Sequence, residues 1–88
     1  MDLDPDKARF QKKSVSLHGH KTSVSLEKAF WDVLEESAHL QGISLSQLLK
    51  DIDGHRKGSL SSALRLYVLT YALDVRHRNS SYNSENDL

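Results

Sequence analysis

The tetrapeptide Ser-Val-Ser-Leu occurs twice near the start of the chain, at residues 14–17 and again at 23–26. Each copy alternates polar and apolar residues around a β-branched valine, the pattern of a half-buried strand. The copies are offset by nine residues, an odd number, whereas side chains along a strand alternate faces with a period of two. In one continuous strand Val15 and Leu17 would therefore face opposite to Val24 and Leu26, so the chain must turn between the copies. Gly19-His20 suits a two-residue hairpin turn that wants glycine first. That turn predicts Leu17 opposite Thr22, Ser16 opposite Ser23, Val15 opposite Val24 and Ser14 opposite Ser25, with all four apolar residues on one face.

The period then changes. Leu26, Phe30, Val33, Leu34, Ser37, Ala38 and Gln41 recur at helical spacing, with Asp32, Glu35, Glu36 and His39 on the other side. Ser25 is the predicted N-cap, Glu27 falls in the first turn where the helix dipole favours an acid, and Gly42 is the predicted stop. A second helix follows, capped by Ser44 or Ser46, with Leu45, Leu48, Leu49 and Ile52 on one face. DGHRKG, residues 53–58, ends it. A third helix is predicted from Leu60 to Arg76 with Ser59 as cap; Leu60, Ala63, Leu64, Tyr67, Val68, Tyr71 and Ala72 form one stripe, and Leu66, Leu69 and Leu73 a second. Trp31, Tyr67 and Tyr71 sit at helical spacing and read as core or subunit interface rather than as base-stacking groups.

A helix apolar on two sides has more to bury than an 88-residue chain can cover alone. The chain has no cysteine, so disulfides and thiolate metal sites cannot staple it, and self-association is the remaining common solution. The expected division is a flexible arm over 1–12, one folded domain over 13–77 and a flexible tail over 78–88. No apolar run reaches the length of a membrane span, and residues 1–13 lack the apolar centre of a signal peptide, so a cytoplasmic location is expected.

Twelve Lys and Arg balance twelve Asp and Glu, but unevenly along the chain. Lys7, Arg9, Lys12, Lys13, Lys21 and Lys28 face one acid, Glu27, in the first third; residues 32–53 are acidic and 55–78 basic again. An anionic partner would meet the N-terminal segment first. No GxSxG, HExxH or phosphate-binding glycine loop is present, and so small a core offers no cleft for a catalytic group, so catalysis is not expected. His18 and His20, even with His39, His55 and His77, have no cysteine or carboxylate cluster to complete a tetrahedral set; they read as turn and surface residues, and neither metal nor cofactor is expected.

Strand, capped helix, glycine turn and a second helix opening Ser-x-Ser is a layout that resembles the ribbon-helix-helix DNA-binding family, over KTSVSLEKAFWDVLEESAHLQGISLSQLLKDI, residues 21–52. HKTSVSLE followed by SLSSALRLYVL is similar to a short bacterial subfamily, extending the likeness from Val15 to about Tyr71. The fold class implied is α+β, mostly α: a ribbon-helix-helix with an added N-terminal strand and a third helix, as an intertwined homodimer whose paired strands occupy the major groove. Its core would hold Val24, Leu26, Phe30, Val33, Leu34, Leu48, Leu49 and Ile52.

By position, the family's base-reading places fall on Lys21, Ser23 and Ser25. Its phosphate clamp falls on the amides of Ile43, Ser44, Leu45 and Ser46, with Lys12, Lys13 and Lys28 as longer-range phosphate partners. The function implied is a sequence-specific transcriptional regulator that binds double-stranded DNA as a homodimer or higher oligomer. The alternative is a protein-interaction module that keeps the fold but not DNA reading. A second alignment, with SLSSALR at 59–65 opening the family's second helix and 42–58 as an insertion, needs a whole extra helix and is less economical.

Overall fold

A hairpin resolves the odd offset of the two copies. In the computed structural model, which describes the backbone of residues 4–87 and the side chains of residues 4–76, β1 (Phe10–Leu17) and β2 (His20–Glu27) form a two-stranded antiparallel sheet. Three helices follow, α1 (Lys28–Gln41), α2 (Leu45–His55) and α3 (Leu60–Asp87). The order of elements is the predicted one, and the helix after the Gly42 turn is α2.

The hairpin register differs from the expected one by two residues: Val15 lies opposite Thr22, Ser14 opposite Ser23 and Leu17 opposite His20. The turn is His18-Gly19, with φ of 51° and 81°. Two successive left-handed residues are what a type I′ turn needs, and its twist matches that of the flanking strands. Histidine tolerates this region better than most residues, and here Nε2 of His18 is held 3.1 Å from the Asp53 carboxylate on α2. Because the slip is even, Val15, Leu17, Val24 and Leu26 still share one face, and all four are buried.

The register also lengthens the ladder. Phe10, Gln11 and Lys12, assigned from the sequence to an arm, are the first rungs of β1. The Lys28 N–H continues the ladder by donating to the Arg9 carbonyl at 2.8 Å, and the Trp31 indole N–H donates to the Gln11 carbonyl at 2.9 Å. Ahead of β1, Pro5–Ala8 makes a single 3₁₀ turn capped by the Asp4 carboxylate. Since β2 runs on to Glu27, the predicted cap Ser25 is a strand residue, and Glu27 occupies the N-cap position without a side-chain capping bond. Its carboxylate instead accepts from Arg65 Nη2 of α3 at 2.8 Å.

Gly42 ends α1 as predicted, at φ 71°, with the Ile43 N–H donating back to the Ala38 carbonyl at 3.0 Å. Ser44 caps α2 by accepting from the Gln47 N–H, and Ser59 caps α3 by accepting from the Ser62 N–H. The α3 backbone remains helical to Asp87, past the predicted end at Arg76; the side chains of His77 and of the expected 78–88 tail lie outside the described residues.

The inner face of the hairpin packs on all three helices. Leu26, Leu34, Leu49 and Leu64 are fully buried with Trp31, and each leucine contributes about 1.5–3 kcal/mol by leaving water. Of the expected core, Val24, Leu26, Leu34, Leu48 and Leu49 are buried within one chain, while Phe30, Val33 and Ile52 are partly buried against them. β2 finds its antiparallel neighbour in β1 of its own chain. Ser37, Gln41 and Tyr67 form a closed polar cluster that ties α1 to α3: the Ser37 and Tyr67 hydroxyls share a hydrogen bond, and the Gln41 amide donates to both.

Along α3, Leu64 and Val68 are buried and Leu60 and Tyr67 partly so. The second stripe finds no cover: Leu66 is 60%, Leu69 54% and Leu73 53% exposed. Among the described residues, no helix is long and apolar enough to cross a membrane.

Candidate nucleic-acid interface

With the inner face buried, period two turns every other side chain outward. The outer face of the ribbon carries Lys12 opposite Ser25, Ser14 opposite Ser23 and Ser16 opposite Lys21, with Phe10 opposite Glu27 at one end. The six central side chains are all exposed. Among the described residues, Lys12 and Lys21 have no ion-pair partner and the four serine hydroxyls no hydrogen bond. A short hydroxyl can donate or accept at several base edges, and a lysine can donate to guanine O6 and N7. Short side chains also let the backbone approach a groove floor closely.

Lys21, Ser23 and Ser25 thus lie together on one exposed face, as the resemblance implied. Lys12, expected among the phosphate partners, belongs to that same face. Ser14 and Ser16 complete it; they were missed because the first copy was read only as an added strand, although the repetition of Lys-x-Ser-x-Ser at 12–16 and 21–25 was there to be seen.

Lys13 and Lys28 are engaged elsewhere. Lys13 points to the inner side, where its ammonium lies 5.6 Å from the Trp31 ring centroid and 3.5 Å from a Glu35 oxygen. Lys28 pairs with Asp32 one turn along α1 at 3.0 Å, and Lys7 reaches the same carboxylate. Hydrogen bonds from Lys7 and Lys28 hold the Asp32 carboxyl below the usual carboxylate range, and the bond to Asp32 raises Lys7. Of the N-terminal cations, Lys7, Lys13 and Lys28 thus pair with acids of α1 and Arg9 with Asp6, whereas Lys12 and Lys21 on the outer face of the ribbon have no ion pair among the described residues.

At the start of α2, the Ile43 N–H is spent on the Ala38 carbonyl, so this amide closes the turn instead of facing an anion. The N–H groups of Ser44, Leu45 and Ser46 have no acceptor among the described residues, and the helix dipole favours negative charge there. The Ser44 hydroxyl serves as the cap.

At the hairpin tip, the Asp53 carboxylate lies 3.1 Å from His18 Nε2 and accepts, at 2.6 Å, from Arg56 Nε, which sets the turn against the end of α2. Among the described residues, no group of three or more His, Asp or Glu side chains is placed to hold a metal ion. Trp31 is in the core, and the Tyr67 and Tyr71 rings lie tilted against each other on α3 with centroids 6.5 Å apart, away from the ribbon face.

The comparisons with known proteins agree with this layout. The family model described as "Ribbon-helix-helix domain" matches residues 10–72, so its span includes β1 as well as β2. The solved structure of an uncharacterized protein from Bordetella pertussis Tohama I superposes with a TM-score of 0.72 at 34% sequence identity, covering 81% of this chain. The match spans 62% of that protein's length. No curated protein matches the chain. A family match over most of the residues, on a two-stranded ribbon followed by helices, makes the chain a member of the ribbon-helix-helix family.

Proposed function

We propose that the chain is a sequence-specific DNA-binding transcriptional regulator of the cytoplasm, without catalytic activity, that places the outer face of its hairpin in the major groove of double-stranded DNA. Lys21, Ser23 and Ser25 read base edges, while the free amides at the start of α2 hold a backbone phosphate. The observation that carries this reading is the outer face itself: serines and lysines with no intramolecular partner among the described residues, on a ribbon two strands wide. Strands lie about 4.8 Å apart, and a groove about 12 Å wide admits two of them.

A homodimer or higher oligomer fits the exposed Leu66, Leu69 and Leu73 stripe of α3. Association through α3 leaves each ribbon free. Edge-to-edge pairing of two hairpins would instead make a four-stranded sheet about 14 Å across in backbone alone, too wide for the groove.

The test is a mobility-shift assay with the protein's own upstream DNA beside a random duplex at two salt concentrations. Tighter binding to the upstream DNA, falling steeply with salt, is expected. The same leucine stripe and the zero net charge favour a second reading, an assembly module that does not read DNA. Light scattering distinguishes the two: a large multimer without DNA affinity at low salt supports the module, and a dimer that retards duplex DNA removes it.

A further inference from the structure

The observed register turns the repeated sequence into a symmetric object. Residues face each other with Ser14 opposite Ser23 and, two rungs to either side, Lys12 opposite Ser25 and Ser16 opposite Lys21. A two-fold axis normal to the ribbon between Ser14 and Ser23 carries each β1 residue onto the one nine positions later. Lys12 goes to Lys21, Ser14 to Ser23 and Ser16 to Ser25 on the outer face, and Val15 to Val24 and Leu17 to Leu26 on the inner.

We infer that β1 is the second half of the reading face, with Lys12, Ser14 and Ser16 acting toward one side of the groove as Lys21, Ser23 and Ser25 act toward the other. One chain then carries a complete two-fold ribbon for duplex DNA. The inference rests on the DNA-binding reading above and deepens it.

Covering the core explains only the inward residues Val15 and Leu17. The outer face of the repeat carries four serines and two lysines, all exposed, that make no side-chain hydrogen bond or ion pair among the described residues. Protein two-fold symmetry in a groove is matched by inverted repetition in the bases. Lys21 lies across from Ser16, four residues beyond Lys12 along the ribbon, so the two ammonium groups are rooted about 13 Å apart along the strand direction at ~3.3 Å per residue. That is about four base-pair steps of about 3.4 Å.

The test uses the full chain and a fluorescein-labelled duplex of its own upstream DNA, with anisotropy measured across a salt series for wild type, Lys12→Ala, Lys21→Ala, the double variant and Lys50→Ala. Circular dichroism and thermal unfolding check that each is folded. Lys12→Ala and Lys21→Ala are each expected to weaken binding by about tenfold and to flatten the slope of log K against log salt by about 0.9, the double variant by the product, and Lys50→Ala not at all. Loss at Lys21 with none at Lys12 would reduce β1 to a cover and overturn the inference while leaving the DNA reading intact. Wild-type binding unaffected by either substitution would move the interface off the ribbon, and a wild type that binds no duplex at low salt would overturn both.

Discussion

The two faces of one hairpin divide the labour of the molecule. Inward, Val15, Leu17, Val24 and Leu26 are all buried against the helices; outward, Lys12, Ser14, Ser16, Lys21, Ser23 and Ser25 are all exposed. The same eight rungs thus hold the core on one side and present polar groups to solvent on the other. Alternation lets either face change without the other, because neighbouring side chains never compete for one environment. Stability and recognition should therefore be separable by single substitutions.

The largest expected effect is on the inner face. Leu26 is fully buried, so Leu26→Ala should lower unfolding stability by about 2–5 kcal/mol in urea titration. Gly19→Ala attacks the turn that sets the register. A methyl group there meets nothing within 4 Å, but φ is +81°, so the cost is backbone strain of about 1–2 kcal/mol. A loss much smaller than this would argue against the His18-Gly19 turn.

Glu27, where the ribbon meets α1, sharpens the division through pH. The hydrogen bond from Arg65 holds its carboxyl below the ordinary glutamate range. A depressed carboxylate contributes its stability fully above the unfolded pKa of about 4.3 and loses it as pH falls through the lower folded value. Thermal unfolding of wild type should accordingly weaken below about pH 4.3, and Glu27→Gln should show less of that acid loss. The smallest expected effect on stability is at the centre of the outer face. Ser23→Ala should stay within about 0.5 kcal/mol of wild type while weakening DNA binding, so a large loss of stability there would break the division.

Much of the fold was legible because it follows from local rules. The helix stops and starts at Gly42, Ser44 and Ser59 are backbone chemistry written in single residues. Which residues of the hairpin share a face follows from parity alone, and it survived a two-residue error in register. The register itself was not legible: two adjacent pairs, His18-Gly19 and Gly19-His20, both offer a two-residue turn. The tether to Asp53 and the Lys28 to Arg9 rung that accompany the observed turn join distant parts of the chain.

The same limit applied to the charges. The neighbours of Lys13, an expected longer-range phosphate partner, were not legible, because Glu35 and Trp31 approach it only once the hairpin lies on α1. Lys28 also has an ion-pair partner in the structure, and that one was legible, since Asp32 is four residues on along one helix. Ser25 was misread as a cap because strand alternation and helical spacing overlap at residues 25–27, where β2 in fact continues.

The central claim, that the outer face of the hairpin is the DNA-binding surface, is tested most directly by titrating ¹⁵N-labelled protein with a duplex from its own upstream DNA and following backbone amide shifts. The largest changes are expected at Lys12, Ser14, Ser16, Lys21, Ser23 and Ser25 on both strands, with further changes at Leu45 and Ser46. Changes concentrated on Leu66, Leu69 and Leu73 of α3, with the ribbon silent, would contradict it.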